Sequence, residues 1–121
     1  MKILIVEDSR HDGEVIKHVL NQEGYSDISI VATGEEAIPM VNQEEFDFIL
    51  VDTKLPGMDG FDVCSEIKTI ESFRGKVIVM TGLVETVDAA HARSVGADDY
   101  CAKTTDCSHL IEAIKNLSAK D

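Results

Sequence analysis

Residues 48–64 read FILVDTKLPGMDGFDVC: an apolar run from Phe48 to Val51, a carboxylate at Asp52, and then a helical stripe that starts at Val63 and Cys64 and continues to Ile67. A short run rich in Val and Ile without alternation is what a strand buried on both faces looks like. Spacing of three and four residues marks a helix with one inner face. The same unit recurs along the chain. Further runs lie at Ile3 to Val6, Ile28 to Val31 and Val77 to Met80, with a weaker fifth at Tyr100 to Ala102. The helical stripes between and after them are Val15, Ile16, Val19 and Leu20, then Ala37, Ile38 and Val41, and finally Leu110, Ile111, Ile114 and Leu117.

The segment from Glu85 to Val95 has to supply the fourth helix, although its inner face offers only Val87, alanines and Val95. That helix is expected to be the most loosely held. Gly24, Gly75 and Gly96 are expected where helices end. Pro39, inside the second helical pattern, is expected to bend that helix or shorten its start. Strands alternating with helices imply an α/β protein, a five-fold (βα) repeat with a parallel sheet, right-handed crossovers and helices on both faces.

Composition agrees with one compact domain over residues 1–121. Such a chain can bury about two thirds of its unfolded surface. The formal charge of −12, from 23 acids against 11 scattered bases, disfavours direct binding to nucleic acid or to anionic membranes. It favours basic partners and divalent cations instead. No apolar run approaches membrane-spanning length, and the start MKILIVEDS is too short in apolar residues for a signal peptide. Three cysteines, an odd number in a chain with a real core, point to free thiols in a reducing cytoplasm.

Ligands of open parallel sheets bind at the carboxyl ends of the strands. Glu7 and Asp8 follow the first run, Asp52 the third, Thr81 the fourth and Lys103 the fifth. Each carboxylate alone can be read as a helix N-cap. Together they form a pattern that capping does not explain. Three crowded carboxylates repel one another unless a cation sits among them, and Mg2+ suits one or two carboxylates with several waters. A carboxylate beside such a metal, a hydroxyl and a lysine is equipped to receive a phosphoryl group, with Asp52 as the nucleophile.

The stretches ILIVEDS, FILVDTKLPGMDGFDVC, VIVMTG and GADDYCAK, in this order and spacing, resemble the receiver domains of two-component response regulators over essentially the whole chain. The resemblance implies a doubly wound, flavodoxin-like five-stranded parallel sheet of order 2-1-3-4-5. It also implies that Asp52 accepts the phosphoryl group. Asp8, Asp52 and the backbone carbonyl of Lys54 would hold Mg2+, with Glu7 acting through a bound water. Thr81 and Lys103 would bind phosphate oxygens, and Tyr100 would turn inward as an aromatic switch.

Two positions depart from the family pattern. Thr104 follows Lys103 where the family usually has proline, often after a cis bond, which before a non-proline residue costs about 3 kcal/mol. Gly82 replaces the common alanine after Thr81 and loosens that loop. The expected function is a phosphorylation-dependent signalling switch. Its partners would be a sensor histidine kinase or histidine phosphotransfer protein, docking near Arg10, His11 and Glu14, and a downstream protein target.

The alternatives are a degenerate receiver that acts without phosphorylation, and an aspartyl phosphatase, for which Lys54 stands where a second acid is needed. No effector region follows the last helix, so the chain reads as a stand-alone receiver or one excised from a longer protein, the starting methionine favouring the former. Cys101, Cys107 and His109 match no zinc spacing and read as packing and surface residues, Cys64 as core. His11, His18 and His91 read as surface residues. Lys54 reads first as a solvated side chain at a loop, and as the alternative it could lean over the phosphoryl group and slow or redirect attacking water.

Overall fold

The computed structural model of the protein describes residues 1–82, 89–104 and 106–119. The strands are β1 (Lys2–Val6), β2 (Asp27–Val31), β3 (Phe48–Asp52), β4 (Lys76–Thr81) and β5 (Asp99–Ala102). They alternate with α1 (Arg10–Gln22), α2 (Gly34–Gln43), α3 (Gly60–Lys68), α4 (Ala89–Ser94) and α5 (Ser108–Ala119). All strand pairings are parallel and the order is 2-1-3-4-5, the arrangement expected from the alternation and the resemblance.

The pleat divides the apolar runs between two cores. Ile3, Ile5, Phe48, Leu50, Ile78 and Met80 face α1 and α5, packing on Ile16, Leu20, Leu110 and Ile114. Leu4, Val6, Ile49, Val51, Val77 and Val79 face the opposite side, against Ala37, Val41, Val63, Cys64 and Ile67. β1 and β3 are therefore buried on both faces, as their unalternating sequences require. β2 differs from its expected burial: it is an edge strand, with Asp27 exposed and Ile28 to Val31 only partly covered.

Caps explain where the helices begin. Ser9, Thr33 and Asp59 accept hydrogen bonds from the backbone N–H groups of Asp12, Glu36 and Asp62, which satisfies donors that helix starts leave unpaired. α2 runs through Pro39 and starts at Gly34, so the proline does not shorten its start. Gly24 and Gly96 end α1 and α4 with φ of 97° and 89°, the left-handed conformation that glycine adopts without penalty. Gly75 has a different role: it stands just before β4, where a Cβ would lie 2.3 Å from the Phe46 carbonyl oxygen.

Within α4 only Ala92 is buried, and Val95 packs at the edge of the second core. Val87 lies outside the described residues. Cys64, Cys101 and Cys107 are free and buried, and burial pushes the Cys101 thiol up to about 12, so these thiols are packing groups.

Thr53 is buried, and its hydroxyl has no hydrogen-bond partner among the described residues. Removing an unpaired buried hydroxyl while keeping the shape recovers its desolvation cost. Thr53→Val is expected to stabilise the protein by about 1 kcal/mol, raising Tm by about 3 °C. A thermal melt checks this, and a lower Tm would show that the hydroxyl is satisfied.

Candidate functional site

Parallel register brings the strand ends to one edge. β3 lies between β1 and β4, with Val6 opposite Val51, Asp52 opposite Met80, and Thr81 opposite Ala102. Residues that follow the apolar runs, far apart along the chain, therefore meet. Carboxylate oxygens of Glu7, Asp8 and Asp52 all lie within 4.8 Å of one another, the one such acidic or metal-ligating cluster among the described residues. None of the three is a helix cap, since Ser9 caps α1 and Asp59 caps α3.

Glu7 is almost fully buried, its side chain 1% exposed. Its Oε2 accepts a hydrogen bond from the Ser9 N–H at 3.1 Å. Its Oε1 forms an ion pair with Lys103 Nζ at 2.5 Å. Burial pushes the carboxyl up to about 7, with Lys103 and the Ser9 N–H opposing and Asp52 adding to the rise. Asp8 is exposed, while Asp52 is 6% exposed at the end of β3.

Lys103 is the counter-charge. Its Nζ lies 3.4 Å from Asp52 Oδ2 and 3.3 Å from Asp12 Oδ2 as well as close to Glu7. Burial alone would lower its pKa, but the Glu7, Asp52 and Asp12 carboxylates outweigh it and hold the ammonium above the ordinary lysine value. No peptide bond among the described residues is cis, the one between Lys103 and Thr104 included. Without the family's proline, the backbone is held by the Lys103 N–H, which donates to the Thr81 carbonyl at 2.7 Å. A trans loop thus still delivers the ammonium to Asp52.

Thr81 is buried, and its hydroxyl donates a long bond, 3.3 Å, to the Gly82 carbonyl. Gly82 is exposed, and a Cβ there would meet no atom of the described residues within 4 Å. Tyr100 is half-buried against the second core, and the Lys54 side chain is exposed. Of the histidines, His11 and His18 are exposed, while the His91 ring stacks on Phe61 with centroids 4.0 Å apart. His109 is exposed and belongs to no cluster among the described residues.

Asp12 was not expected at the site. A carboxylate in the first turn of a helix normally serves the positive end of the helix dipole. The available signal was its position, one helical turn beyond Asp8, on the face that α1 turns to the strand ends.

The donor set fits Mg2+. Glu7, Asp8 and Asp52 bring hard carboxylate oxygens together, and the single nearby ammonium of Lys103 leaves their negative charge only partly compensated.

The chain matches the family described as the response regulator receiver domain over residues 3–115. It is similar to a CheY-like response regulator receiver domain protein from Methanospirillum hungatei, with 30% identity, TM-score 0.86, and coverage of 98% of this chain and 94% of that one. It is similar also to the response regulator TrrA from Thermotoga maritima, solved in complex with Mg2+ and BeF, with 32% identity, TM-score 0.81, and coverage of 97% and 99%. A response regulator described from Chloroflexus aurantiacus has 28% identity and TM-score 0.84, with coverage of 98% and 97%.

Proposed function

Because the chain belongs to the response regulator receiver domain family, we propose that it is a cytoplasmic phosphorylation-dependent switch in which Asp52 accepts a phosphoryl group from phosphohistidine. The observation that carries this reading is the placement of Lys103 Nζ 3.4 Å from a buried Asp52 that also belongs to the three-carboxylate cluster. The same contact, made across a trans peptide, favours the switch over a degenerate, phosphorylation-independent receiver.

Glu7 (through a bound water), Asp8, Asp52 and the Lys54 carbonyl would hold Mg2+, which when bound supplies positive charge to the oxygens of the transferring group. Asp52 attacks the phosphorus as the bond to the donor imidazole breaks, and its burial limits competing water. Lys103 places its ammonium against the new negative charge. Thr81 exchanges its long bond to the Gly82 carbonyl for a phosphoryl oxygen. That movement frees room at the end of β4 and lets Tyr100 turn further into the second core, altering the surface beside α4 that a downstream protein target reads. Lys54, exposed two residues beyond Asp52, slows hydrolysis of the aspartyl phosphate by crowding the path of water.

The phosphodonor, a sensor histidine kinase or histidine phosphotransfer protein, docks at α1 around Arg10, His11 and Glu14. A cavity of about 210 Å³ lies beside His11, lined in part by Asp12, Val15, Met80, Lys103 and Leu110, and its apolar side can take an apolar side chain of the partner. Direct nucleic-acid binding and membrane insertion play no part in this reading, given the charge of −12 and the absence, among the described residues, of a helix able to cross a membrane. Incubation with Mg2+ and acetyl phosphate followed by intact mass tests it. The expected result is a gain of one phosphoryl group, and folded protein that gains none would overturn the switch.

The Glu7 carboxyl also sets a pH dependence. Its folded-state value is raised to about 7, so it carries a proton below neutrality and a negative charge above. Mg2+ affinity is therefore expected to rise with pH, by up to about tenfold between pH 6 and pH 8, because loss of the proton adds a negative charge beside the ion. Mg2+ titrations followed by Tm at several pH values measure this. A flat profile would place Glu7 outside the metal site.

A further inference from the structure

Lys103 rests among Glu7, Asp12 and Asp52, and these carboxylates differ in one respect. Glu7 and Asp52 belong to the oxygen cluster suited to a metal, whereas Asp12 does not. Glu7 and Asp52 would share their charge between a cation held by the cluster oxygens and the ammonium, whereas Asp12, outside the cluster, would keep its contact with Lys103 alone. Asp12 is well anchored for this. It sits in the first turn of α1, its own N–H donates to the Ser9 cap, and its side chain is 47% exposed, so it accepts the ammonium without first losing all its hydration. On the other side of the contact, the Lys103 peptide is trans and followed by Thr104, with no proline ring to stiffen the loop.

We propose that Asp12 is a positioning residue that holds the Lys103 ammonium within reach of the phosphoryl group on Asp52, fixing from α1 the far end of a side chain whose backbone is already tied to Thr81. The inference rests on the reading of Asp52 as the phosphoryl acceptor. It opposes the simple electrostatic expectation. Acetyl phosphate is an anion, so removing a negative charge near the site would by itself speed its reaction. Loss of the tether slows it, because the lysine spends less time against the transferring group.

The test measures the rate of phosphorylation by acetyl phosphate at saturating Mg2+ for the wild type, Asp12→Asn, Asp12→Glu, and Asp12→Asn combined with Lys103→Gln. Glu66→Gln, which removes the same charge from an exposed position on α3, serves as the charge control. Expected results are a three- to tenfold slower rate for Asp12→Asn, recovery of at least half the rate with Asp12→Glu, and no slowing in Glu66→Gln. Adding Asp12→Asn to Lys103→Gln should cause no further loss, and Mg2+ affinity of Asp12→Asn should stay within twofold of wild type. A rate for Asp12→Asn equal to or above wild type overturns the proposal, as does an undiminished effect in the Lys103→Gln background or a parallel loss of Mg2+ affinity. If the wild type itself gains no phosphoryl group, the acceptor reading falls and this one with it. A normal wild type with an unaffected Asp12→Asn removes only the role of Asp12.

Discussion

Asp52→Asn should take up no phosphoryl group from acetyl phosphate under conditions that modify the wild type. It should also be more stable than the wild type in the absence of Mg2+. The first effect is chemical: an amide oxygen is a far poorer nucleophile than a carboxylate, and the other carboxylates of the cluster, Glu7 and Asp8, follow β1 rather than end β3. The second is electrostatic. Glu7, Asp8 and Asp52 hold oxygens within 4.8 Å of one another, and at pH 8, where Glu7 is charged, repulsion from two carboxylates is expected to exceed what one ammonium at 3.4 Å returns. Replacing a charged carboxyl by an amide of the same shape is expected to stabilise the metal-free fold by about 1 kcal/mol, and Mg2+ should then raise Tm less in the variant than in the wild type. Intact mass and paired melts with and without Mg2+ give both readouts. A variant that melts lower than wild type without metal would mean that the Lys103 contact outweighs the repulsion.

Gly60→Ala should be the most damaging of the small substitutions near the site. A Cβ at Gly60 would stand 2.1 Å from the backbone oxygen of Asp52 and 2.8 Å from the Cα of Thr53. Neither is the flexible end of a side chain, so room appears only if the start of α3 or the end of β3 moves. The Gly60 N–H donates to the Thr53 carbonyl at 3.0 Å, and that bond is lost in either case. The expected cost is about 3 kcal/mol or more, a fall in Tm of about 10 °C. Because the displaced strand end carries Asp52, the proposed acceptor, phosphorylation should also slow in whatever fraction remains folded. Urea or thermal unfolding decides the first point. An unchanged midpoint would show that α3 slides away at little cost.

The strands were legible because unalternating runs such as Phe48 to Val51 suit little besides a strand covered on both faces, and their helices because stripes such as Val63, Cys64 and Ile67 repeat at helical spacing. All three stripe residues prove fully buried. The site was legible as far as it depended on strand ends, which gave Glu7, Asp8, Asp52, Thr81 and Lys103 together. Asp12 escaped because a first-turn carboxylate already has a sufficient local purpose, and nothing in spacing links it to a lysine 91 residues away. The stacking of His91 on Phe61 escaped for a similar reason, since two exposed or half-exposed rings on different helices leave no periodic trace. Composition hid the partial exposure of β2, because edge and centre strands can carry the same apolar residues, and only the strand order implied by the resemblance put β2 at an edge. Gly75 looked like a helix end because glycine serves both in turns and in close approaches of backbone, and only coordinates separate the two.

The sheet that divides the two cores also acts as a partition. Along β5, Tyr100 packs on the side of Val63, Ile67 and Val79, while its neighbour Cys101 packs on the side of Ile16, Leu110 and Ile114. Repacking around Tyr100 is therefore insulated from the layer formed by α1 and α5, with a stiff wall of hydrogen-bonded backbone between them. On the proposed reading, a donor seated against α1 would not have to leave before the opposite flank changed shape.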